Sequence, residues 1–223
     1  MGSMTTLGSV SGYLAKPSTP GPWPALTVIQ EWWGLDEQTK SIADRFAVEG
    51  YLAFAPDLFH GELAELSDSD KAMELVEKYG PTAPDELEKA YDALKSSPDC
   101  SGKFGSVGFC FGGRMSLTLG TRRPLEAVCT FYGGGMQQVF DQLRAKLKAP
   151  VLGLFGDKDV SIPVGTVEEF DKLLDEIGVE HEVVVYPHSG HAFFRDSDPS
   201  VYRPEASTDA WERVKEFFGK HLK

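Results

Sequence analysis

The chain alternates short apolar runs with longer stretches in which apolar positions recur every three or four residues. The short runs are too brief for helices and rich in β-branched and aromatic residues, so they read as buried strands. They fall at 25–30 (ALTVIQ), 51–55 (YLAFA), 104–109 (FGSVGF), 127–131 (AVCTF), 151–155 (VLGLF) and 183–186 (VVVY). Helical spacing covers 36–49, 114–121, 164–177 and 208–221. In the first of these, Leu35, Ile42, Ala43, Phe46 and Ala47 share one face, and Gly50 ends the pattern. Strands that alternate with helices predict right-handed βαβ units. The expected fold class is α/β, a mostly parallel twisted sheet with helices on both faces. Residues 8–14 are expected to add an antiparallel edge strand.

The stretch 60–103 is longer than one crossover helix needs. It carries helical spacing at 69–79, a break at Gly80-Pro81, and a second helix at 84–96. The second helix is the expected crossover. The first, within 60–83, is expected to be an excursion over the C-terminal edge of the sheet, where open α/β folds bind ligands. The 223 residues suit one domain, expected over 4–223, with Met1-Gly2-Ser3 outside it.

Charge narrows the function classes. The 22 basic and 34 acidic residues give a net charge of −12. Such a field repels phosphate backbones and anionic lipid, so neither nucleic acid nor a membrane is an expected partner. No apolar run approaches a membrane span, and no basic segment leads into an apolar one at the N-terminus. The three cysteines, Cys100, Cys110 and Cys129, are odd in number and far apart. That argues against a disulfide framework or a zinc ribbon and for a reducing cytoplasm. A monomer or small homo-oligomer acting on a small molecule is the expected state.

The candidate chemistry begins at Gly108-Phe109-Cys110-Phe111-Gly112-Gly113, where a strand runs into Gly-x-Cys-x-Gly and then a helix. This is the nucleophile-elbow pattern with cysteine in place of serine. It would project the thiol at a helix N-terminus, where partial positive charge favours thiolate. The amide of Phe111 would face the same point as an oxyanion donor. An elbow calls for an acid and then a histidine, each after a later strand. Asp157 and Asp159 follow one strand; His188 and His191 follow the next. Asp159 is preferred because it stands further along its loop, and His191 because Gly190 lets its loop bend. A His188/His191 metal pair lacks an evident third ligand, so no metal and no cofactor is expected. Glu31, in Gln30-Glu31-Trp32-Trp33-Gly34, follows the first long strand onto the same edge, with Trp32 as second oxyanion amide.

These motifs, with Pro56-Asp57-Leu58, Gly156-Asp157-Lys158-Asp159 and Gly190-His191-x-Phe193-x-Arg195, resemble the dienelactone hydrolase family of the α/β-hydrolase superfamily. The resemblance implies a Cys110–His191–Asp159 triad, with Glu31 contacting the thiol and helping to form thiolate. It implies hydrolysis of an activated ester or enol-lactone that carries a carboxylate. It also implies basic residues that grip that carboxylate. Arg195 fills one such position, although a structural ion pair with Asp196 or Asp198 is the alternative. The other position is vacant: no arginine occurs between Arg45 and Arg114, leaving Lys71 or Lys78 as substitutes. Trp33 and Phe193 are candidate pocket walls. A neutral lipophilic ester or lactone, a catalytically weak binding protein and a redox-sensing Cys110 are the alternative functions.

Overall fold

The computed structural model describes residues 1–223 as one eight-stranded sheet flanked by seven helices. The strands are β1 (Ser3–Leu7), β2 (Val10–Ala15), β3 (Trp23–Ile29), β4 (Leu52–Pro56), β5 (Cys100–Phe109), β6 (Ala127–Phe131), β7 (Val151–Gly156) and β8 (His181–Tyr186). Their spatial order is β1-β2-β4-β3-β5-β6-β7-β8. All pairs from β4 to β8 are parallel, and β2 joins β1 and β4 in antiparallel fashion. Every residue of β4, β6 and β7 is buried, as continuous apolar strands covered on both faces require.

The helices are α1 (Glu37–Val48), α2 (Ser69–Tyr79), α3 (Ala83–Lys95), α4 (Phe111–Arg122), α5 (Phe140–Lys146), α6 (Val164–Ile177) and α7 (Pro204–Leu222). Asp36 caps α1 by accepting from Thr39 N at 3.0 Å, and Asp68 caps α2 by accepting from Lys71 N at 2.9 Å. Each cap satisfies one amide that the helix leaves free. The crossover from β4 to β5 is α3. The excursion lies at the sheet's C-terminal edge: Ala64 N donates to Trp33 O at 3.0 Å, and Phe59 bridges Tyr79 and Phe111. No helix is long and apolar enough to cross a membrane.

Three expectations need correction. The antiparallel strand at 8–14 is internal rather than an edge, because β1 precedes it through a tight turn between Leu7 and Val10. That edge strand begins at Ser3, so the ordered fold starts before residue 4. Helix α5 was not expected: seven residues are too few to display a helical period.

The topology decides where chemistry gathers. Strands β3, β5, β6, β7 and β8 are parallel neighbours, so their C-terminal ends share one edge. The residues that follow them are Glu31, Cys110, Tyr132, Asp157–Asp159 and Pro187–His191.

Candidate active site

Cys110 joins β5 to α4 with φ 53° and ψ −115°. This left-handed backbone is costly for a residue with a Cβ and persists only where its surroundings enforce it. Here Cys110 N donates to Phe131 O at 3.1 Å, and Cys110 O accepts from Gly113 N and Gly134 N, both at 3.0 Å. The flanking glycines are steric necessities. A Cβ on Gly108 would lie 1.9 Å from Gly112 O, and one on Gly112 would lie 2.4 Å from Gln30 O. Phe111 is the first residue of α4, so its N–H has no acceptor within the helix. Trp32 N–H makes no backbone hydrogen bond.

His191 and Asp159 meet at this edge. His191 Nδ1 lies 2.6 Å from Asp159 Oδ2, and Asp159 is 4% exposed. The other carboxylate oxygen, Oδ1, accepts from Ser161 N at 2.9 Å, Ser161 Oγ at 2.6 Å and Ile162 N at 3.1 Å. Those donors fix the carboxylate and leave Oδ2 for the imidazole. Burial pushes the Asp159 carboxyl up, but His191 and Ser161 outweigh it and hold the group below its ordinary value. The Cys110 thiol acts on the His191 imidazole as a nearby charge. Burial pulls the imidazole down; the Cys110 charge and the Asp159 contact overcome this and raise it to about 11.

That shift has a measurable sign. A histidine raised above its unfolded value of about 6.5 keeps its proton as pH passes that value, and loses it only near the folded value. In an NMR titration, the His191 ring therefore stays protonated well beyond pH 7. Cys110→Ala removes one cause, so its midpoint moves down. An unchanged midpoint in that variant would contradict coupling between the two side chains.

The competing acid and histidine lie elsewhere. Asp157 pairs with the adjacent Lys158 at 3.3 Å. His188 lines a separate cavity of about 540 Å³ with Arg203 and Asp209, and its carbonyl accepts from Arg203.

Glu31 is 4% exposed, but the groups that bind it are Arg195 and Tyr132 rather than the thiol. Arg195 Nη1 donates to Glu31 Oε2 at 2.7 Å, and Tyr132 OH donates to Oε1 at 3.3 Å. Burial raises the Glu31 carboxyl above its usual range, against the pull of Arg195. Arg195, 5% exposed, spends its second terminus on Asp36, the α1 cap. It pairs with neither Asp196 nor Asp198 and presents no free fork to a ligand. Lys71 and Lys78 are also occupied: they reach Glu62 at 3.4 and 2.5 Å. Phe193 is fully buried against Phe131, Tyr132 and Tyr186, so it belongs to the core and lines no pocket. Trp33 is partly exposed and packs edge-on against Trp32, with ring centroids 5.0 Å apart.

Two supporting residues escaped the sequence reading. Ser161 locks Asp159, and Tyr132 stands 5.1 Å from the His191 ring while binding Glu31. Tyr132 had a signal: it directly follows a strand on the functional edge and precedes Gly133-Gly134-Gly135. Of the remaining cysteines, Cys129 is buried in β6 and burial pushes its thiol well up, while Cys100 opens β5 instead of lying in a loop.

The sequence profile of the dienelactone hydrolase family matches residues 10–222. A Yersinia pestis protein named "Putative carboxymethylenebutenolidase" is 35% identical over 224 residues, covering 94% of this chain and 83% of its own. A Methylorubrum extorquens protein of the same name is 33% identical over 227 residues, covering 96% and 78%. A Klebsiella pneumoniae structure described as a "Putative Dienelactone Hydrolase" superposes with a TM-score of 0.85 at 29% identity, over 98% of each chain. The Anabaena variabilis dienelactone hydrolase, 19% identical with a TM-score of 0.73 over 100% of this chain and 98% of its own, shares the fold. An eight-stranded α/β sheet, a left-handed cysteine at its strand-to-helix elbow and a match over nearly the whole length lead to one assignment: the chain belongs to the dienelactone hydrolase family and is a hydrolase with the α/β-hydrolase fold.

Proposed function

We propose that this hydrolase cleaves an activated ester or enol-lactone through Cys110, His191 and Asp159, with a thioester intermediate on Cys110. The observation that carries this reading is the 2.6 Å His191–Asp159 contact beside a left-handed Cys110.

The Cys110 thiolate attacks the ester carbonyl, and the amides of Phe111 and Trp32 receive the developing oxyanion. The tetrahedral adduct collapses by breaking the carbon–oxygen bond to the leaving group, which takes the His191 proton at oxygen or, if an enolate, at carbon, leaving His191 neutral. Water then adds to the thioester as His191 accepts its proton, and Cys110 departs as thiolate. Asp159 holds the imidazole orientation throughout. A thiolate leaves more readily than an alkoxide, so the adduct from a simple alkyl ester reverts to reactants. An aryloxide or enolate leaving group drives it forward. A reducing cytoplasm keeps the thiol available.

Glu31 lies in this scheme as a positioning residue. Bound by Arg195 and Tyr132, it is held at the sheet edge that carries Cys110.

The test is acid quenching during turnover of an aryl ester, followed by mass analysis of the peptide containing Cys110. An acyl adduct on Cys110 is expected. An adduct on a serine, or Cys110 unmodified throughout a measurable burst, would overturn the assignment.

A further inference from the structure

We propose that Arg114, on the first turn of α4, is the substrate-binding residue that selects esters and lactones bearing a carboxylate. The inference rests on the function proposed above and names the group that recognises its substrate.

Three observations carry it. The first is position. Arg114 follows Cys110 by four residues, one helical turn, on the element that begins at the elbow. The adjacent glycines Gly134 and Gly135 abut both side chains. A Cβ on Gly134 would lie 3.8 Å from Cys110 Sγ, and one on Gly135 would lie 3.6 Å from Arg114 Nη1. The guanidinium and the thiol therefore border one stretch of backbone at the sheet's C-terminal edge.

The second is an uncompensated charge. In a chain of net charge −12, Arg114 has no carboxylate within ion-pair distance. Its side-chain partner is the neutral amide of Gln138, and its Cζ stands 5.8 Å from the Phe111 ring. Its Nε is buried without an acceptor. Arg114 as a whole is half-buried, and a guanidinium held only by an amide and a ring face has capacity for an anion. Burial holds Arg114 below its ordinary value, and Cys110 is the charge that opposes this.

The third is the loss of the alternatives. Both terminal nitrogens of Arg195 are bound to carboxylates, Glu31 and Asp36, and Lys71 and Lys78 are paired with Glu62. Arg114 has the planar fork that suits a carboxylate, which a lysine lacks.

The experiment compares two esters of equal chain length, mono-4-nitrophenyl glutarate and 4-nitrophenyl pentanoate, with wild type, Arg114→Gln and Arg114→Lys. The preference for the glutarate, as a ratio of kcat/KM values, is expected to fall roughly tenfold or more in Arg114→Gln, mainly through KM. Arg114→Lys is expected to recover part of it. A preference unchanged within twofold in a folded Arg114→Gln would overturn the proposal. The wild type supplies a second reading that needs no variant: free glutarate should inhibit competitively, and better than glutaramide. Equal inhibition by the two would also overturn it. Failure of the underlying function looks different, because both esters would then be hydrolysed undiminished by Cys110→Ala.

Discussion

Cys110→Ala is expected to lower kcat/KM for an activated aryl ester by roughly 10⁴-fold or more while leaving the fold intact. The size follows from what is removed. Without sulfur no acyl-enzyme forms, and only the oxyanion amides and substrate binding continue to favour attack by water. The fold survives because alanine keeps the Cβ that cysteine already carries at φ 53°. The backbone strain is thus the same in both proteins, and the side chain is only partly buried. Cys110→Ser is expected to fall between the two, since a hydroxyl is less acidic than a thiol but can still attack with His191 as base. Steady-state kinetics with circular dichroism as a folding control decide the matter. Activity of a folded Cys110→Ala within tenfold of wild type would sink the proposed nucleophile.

Arg195→Met is expected to cost about 3–5 kcal/mol of stability at neutral pH, because it strands two carboxylates that were built around one cation. Glu31 and Asp36 have side-chain exposures of 6% and 19%, and both bond to Arg195. Methionine fills comparable volume but returns no charge. For a chain of this length the loss corresponds to a melting temperature lower by roughly 6–20 °C. The pH dependence has a definite sign. Glu31 is already raised by burial, and losing Arg195 removes the main charge that lowers it. A carboxyl whose folded value exceeds its unfolded value favours the fold while protonated, below that unfolded value, and loses this contribution as pH rises through the folded value. The deficit of the variant should therefore shrink between neutrality and about pH 5, measured by chemical denaturation at each pH. A variant that melts with wild type across that range would show that the Glu31–Arg195–Asp36 cluster bears no structural burden. The same cluster explains why Arg195, whose position in the motif suggested a carboxylate grip, presents no free terminus to a ligand.

Local pattern already determined much of the molecule. Apolar runs such as 151–155 are strands because fully covered parallel strands have no polar face to display. Gly108 and Gly112 announce the elbow because no side chain fits where they stand. The order Cys110, Asp159, His191 was readable because each follows a strand, and parallel strands bring such positions to one edge. Short elements were less legible. Helix α5 has too few residues to establish a period and strand β1 (SMTTL) has no continuous apolar run, and they hold their places through neighbouring layers and hairpin pairing.

Partnership between distant charges lay beyond the sequence. Nothing local tells Arg195 to bind Asp36, 159 residues earlier, or Glu31, 164 residues earlier, instead of the nearby Asp196 and Asp198. That choice is made by packing, which buries Arg195 beside two carboxylates and leaves the nearer aspartates outside. Packing likewise turns Phe193 into the core and sets Arg114 beside the nucleophile without a counter-charge. Sequence by itself determined the strand-and-helix order, the elbow and the residue types at the sheet edge, because these depend on chain sterics and hydrophobic period. Tertiary structure alone decided which charges are neutralised and which remain free, because ion pairing depends on distances across the fold.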